Sequence, residues 1–216
     1  MAFNEAYQKA YTAKTIGGDL LTDSNVKVKA YLFSLPPIKS CLNCDSCKTD
    51  CYATKAYNQY PSAKALWDFN FHLVQNDLPE LSRRLRLQLD RIAKGKNTKK
   101  VVRIHQSGDF YTQAYLDMWS DIARSYPMIK FYGYTKVDKI LDFSAFESLP
   151  NVAIVRSLID GKYRNYGTVN YVERMKHKVF AIVCPATHGE NKAEIKCGVQ
   201  CSACINKGTK VLFVQH

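Results

Sequence analysis

Cys41, Cys44, Cys47 and Cys51 fall in the order C-x2-C-x2-C-x3-C, a spacing that suits thiolate ligation of a four-iron cluster. The other four cysteines lie at the far end as Cys184, followed by a proline, and then Cys197, Cys201 and Cys204 in the order C-x3-C-x2-C. Two sets of four leave no odd thiol, so the first expectation is two four-iron clusters, each closed by four cysteines. Zinc is the alternative metal, with Cys41-x2-Cys44 and Cys201-x2-Cys204 as two knuckles of a closed structural site. A disulfide framework is the competing use of an even count. Eight cysteines in 216 residues are sparse for a stapled scaffold, and a chain this long can bury a core without staples. Residues Met1 to Ala10 lack the apolar run of a secretory signal. A reducing cytoplasm is the expected compartment, and metal or redox chemistry is the expected use of the thiols.

The formal net charge of +12 is unevenly placed. Arg83 to Arg103 carries nine basic residues against one acid, Asp90. Such a run can meet nucleic-acid phosphates, with Arg83 to Lys100 as a basic helix, but without interleaved aromatics the plainer reading is a solvated helix face. No apolar stretch approaches the roughly 18 residues of a membrane span, so no membrane partner is expected. The partners left are a small molecule or a redox protein, with nucleic acid second.

The elements that must position the cysteines alternate in type. Val26, Val28, Ala30 and Leu32 occupy alternate positions and predict a strand leading into the first set. Ser62 could cap a helix carrying Leu66, Phe69 and Leu73. Asp77 and Pro79 open another with Leu78, Leu81, Leu85, Leu89 and Ile92. Strands then follow at Val101 to His105, Ile129 to Tyr134, Val152 to Val155, Lys178 to Val183 and Lys210 to Val214. Helices at Thr112 to Arg124, Lys139 to Glu147 and Val169 to Lys176 separate them. Helical crossovers between strands imply an α/β fold with a mainly parallel sheet. Six strands suit a partial, open βα barrel whose cysteine-rich loops sit at the strand carboxyl ends, in one domain spanning residues 1–216.

In that fold the segments after the strands share one rim. They would bring Cys41 to Cys51, then His105, Ser107, Gly108 and Asp109, then Tyr134 and Lys136, then Arg156 with Ser157 and Asp160, and then Cys184. Catalytic candidates are His105, Asp109, Tyr134 and Lys136 around a small-molecule pocket, with Ser107, Gly108, Asp109 and Arg156 as cofactor-binding candidates. Each has a plainer use. His105 could be a hydrogen-bonded residue near the sheet edge, and Ser107-Gly108-Asp109 could be a turn before the next helix.

The ordered blocks Cys51-Tyr52-Ala53, Arg103 to Tyr111, Phe131 to Lys136 and Cys184 to Cys204 together resemble the gene product 88 family of phage proteins, over roughly Leu32 to Cys204. The resemblance implies a phage or prophage origin and iron–sulfur clusters, and it implies no settled activity. More distantly the chain is similar to radical S-adenosylmethionine enzymes, which are partial βα barrels with three cysteines in the loop after the first strand. That likeness would make Ser107-Gly108-Asp109 a variant of the Gly-Gly-Glu segment that holds the methionyl amine. The spacing departs from theirs: C-x3-C-x2-C appears here only at Cys197, Cys201 and Cys204. Eight thiolates could also close both clusters, which weighs against S-adenosylmethionine as a cofactor.

Overall fold

Four parallel strands carry the architecture: β1 (Tyr31–Phe33), β2 (Val101–Ile104), β3 (Lys130–Thr135) and β4 (Val152–Arg156) lie side by side in chain order. The computed structural model describes residues 3–23, 29–44, 48–49, 51–96 and 100–156, with 182–183, 204 and 211–212. Helices α1 (Phe3–Thr15), α2 (Tyr52–Gln59), α3 (Pro61–Asn76), α4 (Leu78–Lys94), α5 (Gln113–Ser125) and α6 (Ser144–Glu147) complete the main body. β5 (Ile182–Val183) and β6 (Val211–Leu212) pair in parallel as a separate two-stranded sheet. The mixed α/β class and parallel sheet agree with the expectation. Val26, Val28 and the expected helix Val169 to Lys176 lie outside the described residues.

Parallel strands in chain order require crossovers that return on one side, and the core follows that rule. One sheet face, bearing Phe33, Val102, Ile104, Phe131 and Val152, packs in a single cluster with Leu73, Leu81, Leu85, Leu89, Trp119 and Phe146 of the helices. The opposite face carries Leu32, Arg103, Tyr132 and Ala153 as successive register partners across all four strands. Leu32, Tyr132 and Ala153 are buried there with Ala30, and Cys204 packs against them.

The helix ends show why these segments start where they do. Asp77 accepts a hydrogen bond from Glu80 N at 3.0 Å, as expected of the residue that opens α4, and Thr112, expected as the first residue of its helix, is instead the cap of α5 and accepts from Tyr115 N at 3.2 Å. α3 begins at Pro61, its first helical position, rather than at Ser62.

The basic helix is only partly a solvated face. Arg83 pairs with Glu80, Arg91 with Asp19, and Arg86 reaches the Ser125 hydroxyl at 2.9 Å. Arg84 is buried; it donates to the Lys14 and Gly18 carbonyls at 2.7 Å each and lies over the Phe69 ring. It thereby satisfies backbone acceptors at the end of α1, which a helix terminus otherwise leaves exposed. Its neighbour Gln88 accepts from Leu20 N and Leu21 N and donates to Leu21 O. Arg84→Ala should therefore cost about 2 kcal/mol, as for loss of a charged donor to part-buried carbonyls. Urea denaturation is expected to show the loss in the midpoint; an unchanged midpoint would put Arg84 back on the solvated face.

Candidate functional site

The chain leaving β1 turns back under its neighbours before reaching the cysteines. Leu35 N donates to Ser107 O at 2.9 Å and Gln106 N to Phe33 O at 3.1 Å, which joins the segments after β1 and β2. The contact tolerates no side chain at Gly108. Its φ of +86° lies in the left-handed region, and an added Cβ would meet Ser40 Oγ at 2.5 Å and Leu35 Cβ at 2.6 Å. Ser40, buried, donates to Pro36 O at 2.7 Å and closes the turn that delivers Cys41.

Two further bonds tie the cysteine segment to the strand ends. Asn43, between Cys41 and Cys44, donates from Nδ2 to the Lys136 carbonyl at 3.2 Å. Tyr52, next to Cys51, donates its hydroxyl to the Gln106 carbonyl. Cys51 is the cap residue of α2 and makes no side-chain cap bond, although cap positions favour Ser, Thr, Asp and Asn. Cys41, Cys44 and Cys51 are half-buried. Cys47, Cys184, Cys197 and Cys201 lie outside the described residues. Among the described residues no three His, Cys, Asp or Glu side chains form a group that could hold a metal ion.

Asp109 is 6% exposed, and both its oxygens are used inside the protein. Oδ1 accepts from Phe110 N and Oδ2 from Lys136 N, each at 2.8 Å. Burial pushes its carboxyl up to about 6, against the pull of the Lys136 and Phe110 N–H groups and the Thr135 hydroxyl. Because the folded value is raised, the group's contribution to stability is complete below pH about 4 and is lost as pH rises through about 6. Asp109→Asn does not titrate. Its stability relative to the parent should therefore improve by about 2 kcal/mol between pH 4.5 and 7.5. Urea unfolding at both pH values checks this, and a variant that weakens relative to the parent at the higher pH contradicts it.

His105 is placed elsewhere. Its φ of +61° is left-handed, and its ring sits among Phe33, Phe110 and Tyr115, with Phe110 edge-on at 4.6 Å. Nε2 shares a hydrogen bond with the Tyr115 hydroxyl at 2.9 Å, and Nδ1 has no partner among the described residues. Burial pushes its pKa down to about 3, so the ring is neutral near pH 7. Tyr134 lies on the opposite sheet face, near Cys204 and with the Arg103 guanidinium 5.2 Å from its ring centroid. Burial first, and then the Cys204 thiol, push the Tyr134 hydroxyl well up. Arg156, at the end of β4, is engaged by Glu147 at 2.5 Å and Asp138 at 3.8 Å.

The structure thus brings Ser107, Gly108, Asp109 and Lys136 together with the segment carrying Cys41, Cys44 and Cys51, and it sets Tyr134 beside Cys204. It places His105 in the helix-side core and Arg156 in a local ion-pair group. Ser107 is buried, with its Oγ unpartnered among the described residues. Sequence reasoning did not single out Asn43, Tyr52 or Arg103 as site residues. Arg103 carried a signal: a cation between Val102 and Ile104 in a strand belongs to the face opposite theirs.

The model of the family described as Gene product 88 matches residues 4–212. The chain belongs to the gene product 88 family. It is similar to the Gene 88 proteins of Mycobacterium phages D29 and L5, each 24% identical over 187 residues, covering 77% of this chain and 78% of the relative. No solved structure matches. These gene product 88 relatives support a phage protein and do not support the likeness to radical S-adenosylmethionine enzymes. No helix among the described residues is long and apolar enough to cross a membrane.

Proposed function

We propose that this chain is an iron–sulfur protein in which Cys41, Cys44, Cys47 and Cys51 hold one four-iron cluster and Cys184, Cys197, Cys201 and Cys204 a second. The observation that carries the reading is the position of the cysteine segment. It leaves the carboxyl end of β1 and is hydrogen-bonded to the segments after β2 and β3. In an open parallel α/β sheet or barrel, that end is where ligands bind. The donor set fits the group in kind, since thiolates are the usual ligands of such clusters. Cys51 at the start of α2 adds to the fit, because it makes no cap bond and the helix dipole favours an anionic group at that end. A bound cluster would supply one-electron chemistry.

The chain's own residues then divide the work. Leu35, Ser40 and Gly108 fix the approach to Cys41, and Asn43 and Tyr52 hold the two flanks of the segment. Arg103, Tyr132 and Tyr134 shape the face on which Cys204 rests. The role suggested is redox or radical-type, on a sheet curved into a partial barrel. A cofactor such as S-adenosylmethionine would need an iron with no fourth thiolate, and Asp109, with both oxygens bound internally, does not offer a carboxylate to its amine. Zinc with the same thiolates is the alternative metal. The basic run adds little to a nucleic-acid reading, because Arg84 is buried and Arg83, Arg86 and Arg91 are engaged within the fold.

Absorption of anaerobically purified protein tests the proposal: a brown protein with a band near about 400 nm is expected from thiolate-bound iron. A colourless protein loaded with zinc would refute it. Adding S-adenosylmethionine to the reduced protein should leave its paramagnetic resonance spectrum unchanged if every iron has a thiolate; a perturbed spectrum would favour the radical-type role.

A further inference from the structure

We propose that Asp109 is a positioning residue for the first cysteine segment, acting through the Lys136 peptide on Asn43. The peptide unit after Thr135 and that after Lys136 are each held by a side chain. Asp109 Oδ2 accepts from Lys136 N at 2.8 Å, and Lys136 O accepts from Asn43 Nδ2 at 3.2 Å. Asp109 is in turn fixed by its own bond from Phe110 N and by the Thr135 hydroxyl, whose oxygen also accepts from Val137 N at 3.1 Å. The buried carboxylate therefore sets where the Lys136 carbonyl points, and that carbonyl is the anchor between Cys41 and Cys44.

This explains why an ionisable group is kept in a site that disfavours its charge. Two N–H donors arrive at its two oxygens. An amide in the same place would offer one acceptor and turn an NH2 group toward the other donor. Charged neighbours do not account for the arrangement: the charge on Lys136 pulls the Asp109 carboxyl down less than the Lys136 N–H does, and the Tyr115 hydroxyl bonds His105. The ring of His105 is itself neutral. The role deepens the proposed function because a loosened segment would hold a cluster poorly, and that consequence rests on the iron–sulfur reading. The positioning itself does not.

The test uses the reduced full chain as purified, with metal content matched between parent and variants, and iodoacetamide, with labelling at each cysteine followed by peptide mass spectrometry. Asp109→Asn and Asn43→Ala are each expected to speed labelling of Cys41 and Cys44 by about three- to tenfold, the worth of one hydrogen bond. The double variant should be no faster than the faster single one, because both changes break one relay. Labelling of Cys204 should stay at the parent rate, and Asp109→Glu should recover part of the protection. Unchanged rates at Cys41 and Cys44, effects that multiply in the double variant, or a matching rise at Cys204 would each overturn the proposal. If Asp109→Asn fails to fold, Asn43→Ala and Asp109→Glu still read the relay. In protein reconstituted with iron and sulfide, the same variants should lose iron to a chelator faster than the parent. A parent that takes up no iron would remove the cluster reading and leave the labelling result to stand by itself.

Discussion

Cys47→Ser and Cys201→Ser are each expected to strip the metal from their own set and to leave the protein poorly soluble. Metal binding to such thiolates is coupled to folding, and structural zinc in small peptides is worth about 10–16 kcal/mol. A loss of that size is comparable to the whole margin by which an ordinary domain is stable, about 5–15 kcal/mol. Iron and sulfide content with the melting temperature measures the effect. Cys47→Ser should empty the first set while the second keeps its iron, and Cys201→Ser the reverse. Full metal and an unchanged melting temperature in either variant would show that its set is not a required ligand set.

Gly108→Ala is expected to destabilise the protein by about 3 kcal/mol, part from left-handed backbone strain and part from overpacking. The new methyl would meet the Ser40 hydroxyl and Leu35 Cβ. Neither atom is the far end of a flexible side chain, and Ser40 is held to the Pro36 carbonyl. The segment carrying them leads directly to Cys41, so the damage should reach the first cysteine set as well as global stability. An unfolding free energy from urea denaturation within about 0.5 kcal/mol of the parent would show that the segments after β1 and β2 are not in tight contact.

Much of the sheet and several helix starts were legible because their signals are local. β2 to β4 follow short β-branched or aromatic runs, and Asp77 opens α4 as its residue type suggests. α1 was missed: its sequence places no buried residue, and Tyr7 and Tyr11 instead lie partly covered against α3. Arg84 shows a different limit. It stands in the same stripe as Leu81, Leu85, Gln88 and Leu89, and a charge count cannot tell a buried guanidinium that closes α1 from one in solvent.

The candidate site was legible in its cysteines and obscure in its geometry. Strand alternation would put His105 on the face of Arg103, yet its left-handed backbone turns the ring into the helix-side core. No pattern of residue types announces that reversal at a non-glycine position. Asn43 and Tyr52 escaped notice for a related reason: their partners are the Lys136 and Gln106 carbonyls, and backbone acceptors leave no trace in composition. Asp109 was singled out as a ligand-binding carboxylate, and the structure has both of its oxygens accepting backbone N–H groups.

If the two cysteine sets hold four-iron clusters, Mössbauer spectroscopy of anaerobically purified, iron-57-labelled full chain, with acid-labile sulfide counted on the same sample, should show four-iron cluster signals with about eight iron and eight sulfide per chain. Zinc in place of iron, or iron without sulfide, would contradict the cluster reading.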